Sequence, residues 1–144
     1  MNAYEKFLSL PPGERALLLR AGLVVSAVRL GLWLRPWGDV CRLLARALPG
    51  PAGSPRLPAE RVAWAVAVAG RCVPGGGNCL VQALAGQALL RSTGHDAQVR
   101  IGVARPGADR LEAHAWVESG AAVVLGGGSR ACYAPLPAWG EAGP

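Results

Sequence analysis

Cys79 and His114 are the two residues in this sequence whose types and settings suit nucleophilic chemistry. Cys79 lies in "PGGGNCLVQALAGQALL", residues 74–90, where three glycines and an asparagine precede an apolar run of helical spacing. Asn78 is a good N-cap, which puts Cys79 at the first helical position. There the partial positive charge of the helix start favours a thiolate, and the unpaired N–H groups suit a developing oxyanion. The glycines let the chain turn closely and leave the thiol uncovered. A thiol nucleophile also needs a proton acceptor, and the chain has two histidines. His95 follows Gly94 and reads as an exposed turn residue. His114 sits in "LEAHAWVE", two residues before Trp116, on the alternating face that carries polar side chains. Taken singly, Cys79 is as readily a packed small hydrophobe and His114 an ordinary half-exposed strand residue. Together they meet the condition for a Cys/His pair distant in sequence and adjacent in the fold.

Other chemistries fit less well. "PGGGNCL" lacks the lysine and Ser/Thr of a phosphate loop, and no clear helix follows the second glycine run, "GGGSR" (126–130). Cys41, Cys72, Cys79 and Cys132 match no zinc-ligand spacing. "MNAYEKFLSL" has no secretory character, which points to the cytoplasm and to free thiols rather than a Cys72–Cys79 disulfide.

The elements that must position this pair are helices first and strands after. Helices are expected over 10–34, 37–48, 58–71 and 79–92, the last stopped by Gly94 as a left-handed cap. Strands are expected over 97–104, 111–118 and 121–125, with a hairpin turn at "SG" (119–120). "PGPAGSPR" (49–56) reads as a linker, and the Pro-rich tail from Tyr133 as irregular. This is an α+β order, with an antiparallel sheet packed on the fourth helix. A length of 144 residues suits a single domain: a helical part over 1–71, a Cys-helix and sheet part over 72–136, and a flexible tail over 137–144. "AGLVVSAVRLGLWL" (21–34) is interrupted by Arg29 and flanked by Arg20 and Arg35. Its uncharged runs fall short of the roughly 20 residues a membrane span needs, so a buried core helix is expected.

The formal net charge is +6, and residues 1–72 carry all of it, with 10 Lys/Arg against 4 Asp/Glu. A basic front half suits an acidic peptide or protein partner. Its arginines are spread along helices with no basic cluster interleaved with aromatics, which argues against nucleic acid.

The string "NCLVQALAGQALLRSTGHDAQVRIGVA", then "AHAWVE", then an apolar strand, resembles the B2 proteins of lasso-peptide biosynthesis. These are the leader peptidases of that maturation system, within the transglutaminase-like cysteine protease superfamily. "ERALLLRAGLVVSAVRLGLWLRP" and "AWAVAVAGRCVPGGGNCL" are similar to that family's opening, so the resemblance covers most of the chain. It implies a transglutaminase/papain-like core and a Cys–His–Asp triad, with Cys79 as nucleophile and His114 as general base. It implies the aspartate about a dozen residues after the histidine, where this chain reads "VVLGGGSR" and has no acid. Glu112, on the His114 face, is a weak substitute. A backbone carbonyl or Ser129 are alternatives, and Trp116 is a candidate wall of the substrate site. The implied activity is removal of the leader from a ribosomally made precursor peptide. The implied partners are that precursor, a separate leader-binding protein and the macrocyclising synthetase. The missing aspartate keeps open a peptide- or partner-binding module with little turnover. An amidase or acyltransferase using the same dyad is the third reading.

Overall fold

A computed structural model of the chain describes residues 2–48, 57–74, 78–107, 110–120, 122–126 and 134–135. Among the described residues, five helices precede four strands: α1 (Ala3–Ser9), α2 (Pro12–Leu34), α3 (Trp37–Ala47), α4 (Ala59–Cys72), α5 (Cys79–Ser92), β1 (Ala97–Gly107), β2 (Arg110–Ser119), β3 (Ala122–Leu125) and β4 (Ala134–Pro135).

The helix ends follow local chemistry. α1, which lies before the first helix expected from the sequence, begins with a capping box. Asn2 Oδ1 accepts from the Glu5 N–H at 2.8 Å, and Glu5 Oε2 accepts from the Asn2 N–H at 3.2 Å. Pro12 and Ala59 open α2 and α4 directly after Pro11 and Pro58, whose fixed φ is pre-set for a helix start. α5 runs over 79–92, as its sequence predicts. At its end Thr93 Oγ1 donates to Leu89 and Leu90, and Gly94 turns the chain at φ 97°.

α5 is apolar on nearly every face, and such a helix must be surrounded. Val81, Leu84, Ala85, Leu89 and Leu90 are all buried. α2 and α4 pack on it from the helical half, and β1 and β2 from the sheet. Its small residues bring the sheet close: a Cβ on Gly86 would stand 3.6 Å from Val117 Cγ2. Across the helices, Arg61 on α4 pairs with Glu14 on α2, and Arg20 on α2 donates to Ser92 at 3.1 Å.

α2 is a core helix on one face only. Leu17, Ala21, Val24, Val25 and Val28 are buried, whereas Leu19, Leu23, Leu30, Trp33 and Leu34 are exposed, with Leu23 at 73% and Trp33 at 74%. By length and composition alone this helix could cross a bilayer, yet its Leu17–Val28 face is committed to the protein core.

The sheet is antiparallel with strand order β3-β2-β1-β4. β1 and β2 are longer than the alternation alone suggested, and Gly107 pairs with Arg110. The hairpin at Ser119 and Gly120 is as expected, with Gly120 at φ 61°. The tail departs from expectation: Ala134 and Pro135 pair with Val103 and Gly102, adding a short edge strand. Pro fits there because an edge strand leaves one side of its backbone outside the ladder. The linker over 49–56 and the tail over 137–144 lie outside the described residues.

α5 also satisfies the outer edge of β1. Gln87 Oε1 accepts from the Val99 N–H at 2.8 Å, and Arg91 Nε donates to the Ala97 carbonyl at 2.8 Å.

Candidate active site

Asn78 caps α5 as its residue type predicts. Its Oδ1 accepts from the Leu80 N–H at 2.8 Å, and its carbonyl accepts from Gln82 at 3.0 Å. Cys79 is therefore the first helical residue, half-buried at the rim of the core, with a free thiol. The cap occupies the Leu80 N–H, which leaves the Cys79 N–H as the first-turn donor beside the sulfur.

The register fixes where His114 stands relative to Cys79. Gln87 meets β1 at Val99, opposite Val117, and Arg91 meets it at Ala97, opposite Ser119. α5 and β2 therefore run in the same direction. From the Gly86–Val117 contact, Cys79 lies seven residues back along the helix, about 10 Å. His114 lies three residues back along the strand, again about 10 Å. The two residues share one level, at the end where α5 begins.

Alternation along β2 sends Ala115 and Val117 into the core with α5. It puts His114, Trp116 and Glu118 on the opposite face. The imidazole of His114 is thus rooted on the face away from the Cys79 layer. At this level the described β2–β3 pairing has already ended, since its last pair is Val117 with Leu125.

On that outer face the histidine is held by specific neighbours. Its Nε2 donates to the Gly126 carbonyl at 2.5 Å. The Trp116 ring stacks on it, with centroids 6.1 Å apart and planes inclined by 27°. Trp116 is only 2% exposed, so it backs the imidazole, and Gly126 packs on its Cα and Cβ. Its Nε1 donates to Glu118 Oε1 at 3.0 Å, and Glu118 Oε2 accepts from Arg100 Nε at 3.4 Å. Gly126 falls where the resemblance led one to expect an acid, and the group it offers is a backbone carbonyl. The Glu112 backbone pairs with Ala104; its side chain and Ser129 lie outside what is described.

The remaining chemical groups have structural settings. His95 donates through Nε2 to the Leu57 carbonyl at 2.5 Å, pinning the α5–β1 turn to the start of α4. Cys41 packs against the core, and burial pushes its thiol pKa up. Cys72 is exposed, and both are free thiols.

No curated protein and no solved structure matches the chain. Residues 22–138, from the middle of α2 through β4, match the Transglutaminase-like superfamily, whose members are typically cysteine peptidases or acyl transferases. With a capped cysteine helix packed on an antiparallel sheet that carries a histidine, the chain belongs to the transglutaminase-like superfamily.

Proposed function

We propose that this protein is a cysteine peptidase that removes the leader from a ribosomally synthesised lasso precursor peptide. The observation that carries the reading is Cys79 at the Asn78-capped start of α5, level with His114, inside a transglutaminase-like domain. In this reading Cys79 Sγ attacks the scissile carbonyl. His114 takes the thiol proton and later returns it to the leaving amine. The Cys79 N–H donates to the tetrahedral oxyanion, and water then hydrolyses the thioester. The cleavage itself requires no metal or organic cofactor.

The proposed partners are the precursor peptide, a separate leader-binding protein that delivers it, and the macrocyclising synthetase that acts next, all in the cytoplasm. The test incubates the protein with precursor and leader-binding protein and follows leader release. Release is expected with the native chain and is lost in Cys79→Ala and His114→Ala. Release that survives Cys79→Ala overturns the mechanism.

A second reading is favoured by one observation, the rooting of His114 on the face away from α5. In it the domain binds a peptide or partner through its basic helices and turns over slowly. Binding that weakens on charge reversal at Arg15, Arg20 and Arg29, with no cleavage under any condition, supports it. A third reading, amidase or acyl transfer by the same two residues, is separated by supplying an amine acceptor and looking for a transfer product.

A further inference from the structure

α2 is apolar on two opposite faces, and the core uses one of them. Leu17, Ala21, Val24, Val25 and Val28 make the buried face. At 3.6 residues per turn, Leu19, Leu23, Leu30, Trp33 and Leu34 fall within about 100° of arc on the other side. Each of these five is at least 55% exposed. Between Leu23 and Leu30 the same arc carries Ser26 and Ala27, so no charge interrupts it. The stripe runs about 22 Å along the helix. An exposed leucine standing singly is ordinary, but a continuous stripe of large apolar side chains marks an interaction surface.

The neighbouring charges indicate what covers it. Arg20 and Arg29 each stand about 40° beyond one edge of the stripe, Arg35 follows the helix end, and all three are exposed. The bond from Arg20 to Ser92 leaves the guanidinium charge intact. No acidic residue lies between Glu14 and Asp39, and Glu14 is already paired with Arg61. Trp33 closes the stripe at 74% exposure, and an indole, apolar in body with one polar N–H, favours the boundary between acyl chains and headgroups. We propose that this face of α2 docks the protein on an anionic membrane surface. The leucines and Trp33 enter the outer acyl region, and the arginines meet the lipid phosphates. The helix lies in the plane of the surface, because α4 and α5 hold its opposite face. Ser26, Arg29, Leu30 and Trp33 share an open depression with Val73 and Pro74, so the docked face borders the segment that leads to Cys79. A second copy fits the stripe less well, since pairing two such faces brings like-charged arginine rims together on chains that each carry +6. A protein partner also fits less well, since protein hot spots under-represent leucine, whereas leucines with a tryptophan and flanking arginines suit an interfacial helix. The proposal goes beyond the peptidase reading and does not rest on it.

The experiment sediments the full chain with vesicles of phosphatidylglycerol and phosphatidylcholine in equal parts, and with vesicles of phosphatidylcholine alone. Binding is expected to the first and much less to the second, and added salt weakens it. A native chain that stays in solution beside the anionic vesicles at low salt overturns the proposal. Leu23→Gln combined with Trp33→Gln alters exposed positions only, so thermal unfolding confirms that the variant is folded. It is expected to lower the partition coefficient about 10-fold or more. Unchanged partition in that variant reduces the binding to simple attraction of a basic chain and overturns the proposal. Arg20→Gln combined with Arg29→Gln is expected to weaken binding to the anionic vesicles about 10-fold, and an unchanged value overturns the role of the arginine rim. A chain that ignores both vesicles but forms a dimer dispersed by Leu23→Gln gives this face to a second copy. One that ignores them as a monomer leaves it to an acidic protein surface, and either result overturns the membrane assignment. No readout here uses cleavage, so failure of this proposal and failure of the peptidase reading are separate results.

Discussion

Gly86 on α5 faces Leu125 on β3 so closely that a Cβ on the glycine would stand 2.7 Å from Leu125 Cδ2. The contact sets how near the cysteine helix sits to the sheet. Gly to Ala inside a helix ordinarily stabilises by about 1 kcal/mol, whereas overpacking a core costs about 1–3 kcal/mol. Gly86→Ala is therefore expected to destabilise the native chain, by about 1 kcal/mol net. In a Leu125→Ala background the clash is gone, and the same substitution is expected to stabilise. Urea unfolding of the four proteins of this cycle reads the coupling directly.

Asn78→Ala removes the acceptor of the Leu80 N–H and is expected to cost about 1 kcal/mol, with Asn78→Asp or Asn78→Ser recovering most of it. Urea midpoints check the stability. Under the proposed peptidase function, leader cleavage is expected to fall further than the stability loss explains, because the cap also sets the position of Cys79.

The cysteines are expected to separate by alkylation rate. At neutral pH Cys79 reacts fastest, and His114→Ala slows it while leaving exposed Cys72 unaffected. Cys41 reacts slowest, since burial raises its pKa and its thiolate is scarce. Equal, slow labelling of all four cysteines removes the case for an activated Cys79. The Cys41 shift also has a sign in stability. The fold holds this thiol neutral while the unfolded chain ionises it at lower pH. Its contribution is complete below the unfolded value and is lost as pH rises through the folded one. Cys41→Ser is expected to flatten the alkaline end of the stability profile, measured by unfolding across pH.

α2 offers a contrast within one helix. Leu17→Ala removes a buried side chain and is expected to cost about 2–5 kcal/mol. Leu23→Gln and Trp33→Gln alter exposed positions and are expected to stay within about 0.5 kcal/mol. Thermal unfolding checks all three, and reduced binding of a hydrophobic dye in the two surface variants checks that these side chains face water.

The sequence was most legible where a structural decision is made by a few neighbouring residues. Asn78 and Gly94 mark the ends of α5 because capping and the left-handed turn are local. The strand pair around His114 was legible from its alternation of apolar and polar residues. α1 is not legible from apolar periodicity, although Asn2 and Glu5 stand at capping-box spacing, because a helix of seven residues is too short to show a period. β4 was missed because two residues after a proline-rich turn carry no period of their own, and only β1 gives them a partner. The sequence allows a carbonyl among several groups that could orient His114, but a backbone atom belongs to every residue alike. What marks Gly126 is its closeness to β2, where a Cβ would stand 3.1 Å from the Ala115 carbonyl oxygen, and that closeness exists only in three dimensions. The sidedness of His114 was readable from alternation, but its relation to Cys79 depended on which face of β2 meets α5.

The side-chain bonds from α5 to β1 have a consequence for the company this sheet can keep. A strand rim with unclaimed amides and carbonyls is a template on which another chain can register. Here Gln87 claims the Val99 amide, Arg91 claims the Ala97 carbonyl, and β4 lies along Gly102 and Val103. At those positions the β1 rim is closed to strand addition, whether by a copy of the same chain or by an extended peptide. The helix that carries the cysteine thus also guards the sheet against growth on that side.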